Sequence, residues 1–144
     1  MTRINSAINV RLLTDEHLLS EHREIKRLPS VYKKRINSNK GFNNIPSKFT
    51  LGEGHVLFFA NKGQFTLNRY REIRKECINR GFQVEDYSEN WLVYKNLNNY
   101  ISTDIEYKLL IDRIIERLKN SKKQYWHYYG KKLSKDESVN LIIN

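Results

Sequence analysis

The chain has 144 residues, 26 of them Lys or Arg against 16 Asp and Glu, for a formal net charge of +10. That length suits one domain around one hydrophobic core and is short for two, and a charge excess of this size is a self-repulsion that an anionic partner relieves, nucleic acid first among the candidates. The longest apolar run, residues 56–60, is far below the ~20 residues that cross a bilayer, and the first residues lack the apolar stretch of a secretory signal, so a cytoplasmic location with no membrane association is expected.

In chain order, the first feature is Thr2. It is small enough for the initiator methionine to be trimmed, which exposes an α-amine of pKa near about 7.8 rather than the ~10.4 of a lysine. Roughly a tenth of such amines are neutral at pH 7, and only a neutral amine is a nucleophile. Read alone, Met-Thr-Arg is a common beginning, and a frayed chain end is the favoured reading. A helix is expected from Thr14, an N-cap followed by Asp15 and Glu16 in the first turn. Its apolar stripe runs Leu18, Ile25, Leu28, Tyr32 and Ile36. The stripe keeps its phase across Pro29, so one kinked helix is expected: Pro29 has no N–H for the carbonyl of Ile25, and the bend falls beside Glu24. On this helix Arg23 and Arg27 lie one turn apart around Glu24. The group reads either as a solvated face with an i,i+3 ion pair or as a carboxylate between two phosphate clamps.

Residues 37–63 read as a long connection, with Gly52-Glu53-Gly54 a turn, since the rest of a nucleotide-binding fingerprint is missing. A second helix is expected over residues 64–80, burying Phe65, Tyr70, Ile73 and Cys77, with Gly81 as the C′ residue. Cys77 is the only cysteine. It excludes an intrachain disulfide and fits a core thiol, while the four histidines lack zinc-site spacing, so neither metal nor other cofactor is expected. Residues 82–102 read as a second long connection. The third helix opens on the capping box Thr103-Asp104-Ile105-Glu106 and carries Tyr107, Leu110, Ile111, Ile114, Ile115 and Leu118 along one stripe, with Arg113 and Arg117 outside it. Beyond it, Tyr125-Trp126-His127-Tyr128-Tyr129-Gly130-Lys131-Lys132 joins aromatics to a basic pair. Such a segment is either core or a surface that stacks on bases and holds phosphates. The fold expected is all-α: one compact domain, residues 1–144, of three main helices with long connecting loops, residues 133–144 forming a flexible tail.

Four blocks resemble the phage T4-type pyrimidine-dimer DNA glycosylase/AP lyase family. They are Thr2-Arg3-Ile4-Asn5; the run from Asp15 through His17-Leu18-Leu19 to Glu21-His22-Arg23-Glu24-Ile25; Phe49-Thr50-Leu51-Gly52-Glu53-Gly54-His55-Val56-Leu57-Phe58-Phe59; and Trp126-His127-Tyr128-Tyr129-Gly130-Lys131. The resemblance implies a compact set of three helices, and an enzyme that excises UV-induced pyrimidine dimers from duplex DNA. Thr2 and Glu24 then match the catalytic pair. The Thr2 amine attacks C1′ and forms an imine, and Glu24 stabilises positive charge at the sugar and assists the proton transfers of β-elimination. Arg3, His17, Arg23 and Arg27 match residues that line the site or bind phosphate. Arg113, Arg117, Tyr125, Trp126, Tyr128, Tyr129 and Lys131 match DNA contacts. The implied protein is a monomer that needs damaged double-stranded DNA and no obligate protein partner.

The chain departs from the family pattern at several places. It carries one more residue between Asn5 and Thr14, has Lys26 where some relatives have proline, and needs a gap between Leu118 and Tyr125. His127 stands where some relatives have lysine, and residues 82–99 match poorly. Two other functions fit the residues: a non-catalytic basic DNA-binding protein of the same fold, and an N-terminal hydrolase whose Thr2 hydroxyl attacks with its own amine as base.

Overall fold

The computed structural model describes residues 4–38, 41, 45–52 and 54–143. Thr2 and Arg3 lie outside the described residues. Helix α1 spans Asp15–Ile25, and its N-cap Thr14 accepts a hydrogen bond from the backbone N–H of His17. A second helix, α2, spans Arg27–Ile36. Only Lys26 separates the two, and it keeps helical dihedrals (φ −62°, ψ −15°). The expected kink is therefore a break one turn before Pro29, where the carbonyl left without an N–H lies.

The connection expected over residues 37–63 contains a helix that periodicity did not single out, α3 (His55–Ala60). Its six residues bury His55, Phe58, Phe59 and Ala60, too short a run for the helical period to emerge. Helix α4 spans Gly63–Asn79 and ends as expected: Gly81 has φ +87°, and the N–H groups of Phe82 and Gly81 bond back to Cys77 and Ile78 at 3.0 and 2.9 Å, a Schellman cap. The next connection holds a 3-10 turn over Ser88–Val93 that inserts Trp91 into the core. Its indole N–H donates to Thr66 at 3.1 Å and its ring stacks on Tyr70. Helix α5 spans Asp104–Asn120, capped by Thr103, which accepts from the backbone N–H of Glu106. The stripe is carried by Leu110, Ile114 and Leu118, whereas Tyr107 is 42% exposed. Glu106, buried and bonded to the hydroxyl of Tyr100, occupies the inner face at that turn.

The all-α expectation needs one correction. Residues Tyr125–Tyr128 and Lys131–Ser134 form strands β1 and β2 of an antiparallel hairpin, with Trp126 opposite Leu133 and Tyr128 opposite Lys131. Tyr129 (φ +51°) and Gly130 (φ +78°) make the turn; a two-residue hairpin turn of this hand requires positive φ at both positions. The molecule is therefore mainly α with one two-stranded ribbon. Residues Lys135–Ile143, in the segment expected to be a tail, form α6, which buries Ser138, Val139 and Ile142 and packs on α5.

The core is continuous from Ile4, Ile8 and Leu13 through Leu18, Ile25 and Leu28 to Phe58, Phe59, Tyr70, Ile73, Cys77, Trp91, Leu110, Ile114, Leu118 and Trp126. The segment before α1 is folded down onto this core. Ile8 N–H bonds to Asn5 O at 2.9 Å, and Val10–Leu12 form a 3-10 turn capped by Asn9.

Candidate active site

Helix α1 packs against α4 and against β1, and two arginines with buried side chains, Arg69 on α4 and Arg80 at its C-cap, fix its position. Arg69 forms a bidentate pair with Glu21 (2.7 and 3.1 Å) and donates to the carbonyl of Ile8 at 2.6 Å. Arg80 binds Asp15 at 2.9 Å and Glu76 at 2.8 Å, and also donates to the carbonyls of Leu13 and Val10. Breaking a buried pair by removing one partner costs about 3–5 kcal/mol, so α1 and the segment before it are rigidly placed. Arginine does this because its planar fork carries five donors that can serve a carboxylate and two carbonyls together.

The first turn of α1 holds the hairpin. Asp15 accepts from the backbone N–H groups of Tyr129 and Gly130 at 3.0 and 2.9 Å. Glu16 accepts from the backbone N–H of His127 at 2.8 Å and pairs with its ring and with Lys123. Burial works to raise the Glu16 pKa, but the bonds from His127 and Lys123 outweigh it and hold the carboxyl below its ordinary value.

Between α1, α5 and the start of the hairpin lies a cleft of about 470 Å³. Helix α1 contributes Glu16, His17, Ser20, Glu21 and Glu24, the i, i+3, i+4, i+7 face of a helix. Arg113 and Arg117, one turn apart on α5, form the opposite wall together with Lys123, and buried Trp126 and Asn5 complete it. Glu21 pairs with Arg69, and Glu16 with His127 and Lys123. Glu24 is partly exposed and borders a second groove, lined also by Arg23, Lys26, Arg27, Ser30 and Asn90. One carboxylate thus sits on the ridge between a cleft walled by Arg113 and Arg117 and a groove edged by Arg23 and Arg27. His17 bonds through Nδ1 to Thr14 at 2.8 Å. Burial, reinforced by the positive charges of Arg117 and Lys123, pushes its pKa down to about 4, so the imidazole is neutral near pH 7.

The expected site residues are therefore divided. His17, Glu24, Arg113, Arg117 and Trp126 meet at the cleft, and Arg23 and Arg27 flank Glu24 across the ridge. Tyr128 and Tyr129 turn toward Arg80, whose guanidinium lies 4.8 Å from each ring, while their hydroxyls donate to the Arg11 carbonyl and to Glu76. Tyr125 is exposed beneath Lys132, 3.8 Å from its ring, and Lys131 is exposed at the hairpin turn. The strand alternation that sends Trp126 inward sends Tyr125 and His127 outward. Sequence reasoning gave no role at the site to Asn5, to Asp15 and Glu16 beyond the helix dipole, or to His55. All four stood inside matched blocks, which was the only other signal.

Among the described residues, no group of three or more His, Cys, Asp or Glu side chains gathers as a metal site, and no helix is long and apolar enough to cross a membrane. Residues 1–90, more than half of the chain, match the family model described as pyrimidine dimer DNA glycosylase.

Proposed function

The chain belongs to the pyrimidine dimer DNA glycosylase family, and from that premise we propose that it excises UV-induced pyrimidine dimers from duplex DNA and then cuts the strand through an imine on its N-terminal amine. One observation carries the reading. Asn5, three residues after Thr2 in the sequence, lines the same cleft as Glu24, which supports a site that includes the N-terminal residue. Once the methionine is removed, the neutral Thr2 amine attacks C1′ of the damaged nucleotide. The bond from C1′ to the base nitrogen breaks and the base leaves with the electron pair. Opening of the sugar ring then gives the imine. The carboxylate of Glu24 stabilises the positive charge that develops at the sugar and assists removal of a proton from C2′; the C3′–O bond breaks and the strand is cut 3′ to the lesion.

The surroundings of Glu24 suit this chemistry. Arg23, Arg27, Arg113 and Arg117 offer phosphate contacts on both sides of it, with Arg3 a further contact beside Thr2. Neutral His17 lines the pocket without adding a charge that would repel a cationic sugar. Trp126 supplies an aromatic wall, and the hairpin's Tyr125, Tyr128, Tyr129 and Lys131 contact the DNA beside the lesion. A crosslinked pyrimidine pair stacks and pairs weakly, which lowers the few kcal/mol needed to flip a nucleotide. The protein acts as a monomer in the cytoplasm and uses no cofactor.

The test is borohydride trapping on duplexes carrying a single dimer or a single abasic site. The expected result is a covalent adduct on the N-terminal peptide that is lost when Thr2 is acetylated, and a loss of at least about 100-fold in strand cutting in Glu24→Gln. Salt-sensitive binding with neither adduct nor cutting would instead make the chain a non-catalytic DNA-binding protein.

A further inference from the structure

The segment that leads to Thr2 is held by its backbone. Arg80 takes the carbonyls of Leu13 and Val10, and Arg69 takes that of Ile8. The outermost clasp is of a different kind: the backbone N–H of Ile4 donates to Nε2 of His55 at 3.0 Å, across 51 positions of sequence. The other ring nitrogen, Nδ1, meets the carbonyl of Thr50 at 2.9 Å. A carbonyl can only accept and a backbone N–H can only donate, so these partners fix the ring as the neutral tautomer with its hydrogen on Nδ1. The imidazole is 2% exposed and its faces are closed by Phe49 and Phe59, with centroids 5.5 and 5.3 Å away at nearly perpendicular angles. Ile4 itself is fully buried.

We propose that His55 is a positioning residue for the N-terminal amine. This rests on the reading of Thr2 as the nucleophile. A single residue separates Ile4 from Thr2, and the chain advances at most about 3.3–3.6 Å per residue, so the Ile4 N–H held by His55 is an anchor within about 7 Å of the amine. Attack requires reacting atoms about 3–3.5 Å apart, and a misplacement of about 1 Å can cost on the order of 100-fold in rate. The turn before α3 exists in a form that serves this clasp. Gly54, with φ +89°, turns the chain so that His55 opens the helix, and a Cβ at Gly54 would stand 3.1 Å from Pro46. The chemistry needed at position 55 is then an acceptor aimed at Ile4, with a donor on the other side to anchor it.

Two near-isosteres separate the bonds. His55→Asn places its amide near the Nδ1 position and keeps a donor for Thr50 but no acceptor for Ile4; His55→Gln places an amide oxygen near the Nε2 position and keeps the acceptor. Each is measured as the full chain, at a temperature where its unfolding curve shows it folded. The readouts are the single-turnover rate of borohydride trapping on an abasic duplex and the affinity for a duplex with an uncleavable abasic analogue. The expected result is a trapping rate at least tenfold lower in His55→Asn and within about threefold of the starting protein in His55→Gln, with affinity within threefold in both. Hydrogen exchange should show the Ile4 amide protected in the starting protein and in His55→Gln, and unprotected in His55→Asn. Trapping at the unaltered rate in His55→Asn, or equal losses in the two variants, overturns the role of His55. An adduct of the unsubstituted protein that maps outside the N-terminal peptide overturns the amine reading instead.

Discussion

Replacing Asp15 by Asn tests whether the first turn of α1 is what holds the hairpin against the site. The carboxylate serves three donors: Tyr129 N–H and Arg80 on Oδ1, and Gly130 N–H on Oδ2. Asparagine is almost the same shape but has one oxygen. If that oxygen keeps Tyr129 and Arg80, the amide NH₂ faces the Gly130 N–H at the present 2.9 Å, donor against donor. A donor left unsatisfied in this way costs about 1–3 kcal/mol. The bond to Arg80, whose side chain is fully buried, loses its charge assistance, about a further 1 kcal/mol, with Glu76 still pairing the guanidinium. Loss of a negative charge from the first helical turn adds about 0.5 kcal/mol. The sum is about 2.5–4.5 kcal/mol, or roughly 10 °C in melting temperature for a chain of this size. Urea unfolding followed through tryptophan fluorescence measures it, since Trp126 lies on the hairpin and Trp91 in the core. Glu16→Gln is the comparison: its ion pair with Lys123 is 28% and 47% exposed on its two sides, so loss of that pair costs at most about 1 kcal/mol, and one amide oxygen can still accept from His127. A change below about 0.5 kcal/mol in Asp15→Asn, or equal costs for the two neighbours, would refute the assignment of hairpin docking to Asp15.

Three further outcomes follow from the same geometry. His17 has a folded pKa of about 4, below the ordinary value near 6.5, so the unfolded chain takes up its proton first. Its contribution is therefore complete above about pH 7 and is lost as pH falls from about 6.5 to about 4, up to about 3 kcal/mol; stability measured against pH should fall less steeply in His17→Gln than in the unaltered protein. Arg113→Ala and Arg117→Ala should each weaken binding to DNA of any sequence and make the slope of log affinity against log salt shallower by about one, whereas a replacement of exposed Lys75, which does not line the cleft, should change neither. Burial pushes the Cys77 thiol up to about 11, leaving on the order of one thiolate in 10⁴ at pH 7. A thiol reagent should label Cys77 at the rate of global unfolding, and fast labelling of the native protein would contradict its place in the core.

The sequence was enough for the two longest helices and their ends, because caps and periodicity are local: Thr103 before α5 and Gly81 after α4 act within a turn of where they stand. It also placed the break beside Glu24, since Pro29 removes a specific N–H. It was not enough for α3, too short to show a period, or for the hairpin, whose turn uses Tyr129 in a conformation with positive φ that residue type does not announce. The segment from 135 onward became a helix because Val139 and Ile142 found the core, a fact of packing rather than of local pattern. At the site, Glu24 and its neighbouring arginines could be read from one helical turn, but their meeting with Arg113, Arg117 and Trp126 depends on contacts about 90 to 100 residues away in sequence. The same holds for the clasp of His55 on Ile4. Hydrogen-bond satisfaction of a buried ring or backbone N–H is decided by whichever group the folded chain brings within 3 Å, and no spacing along the sequence carries that information.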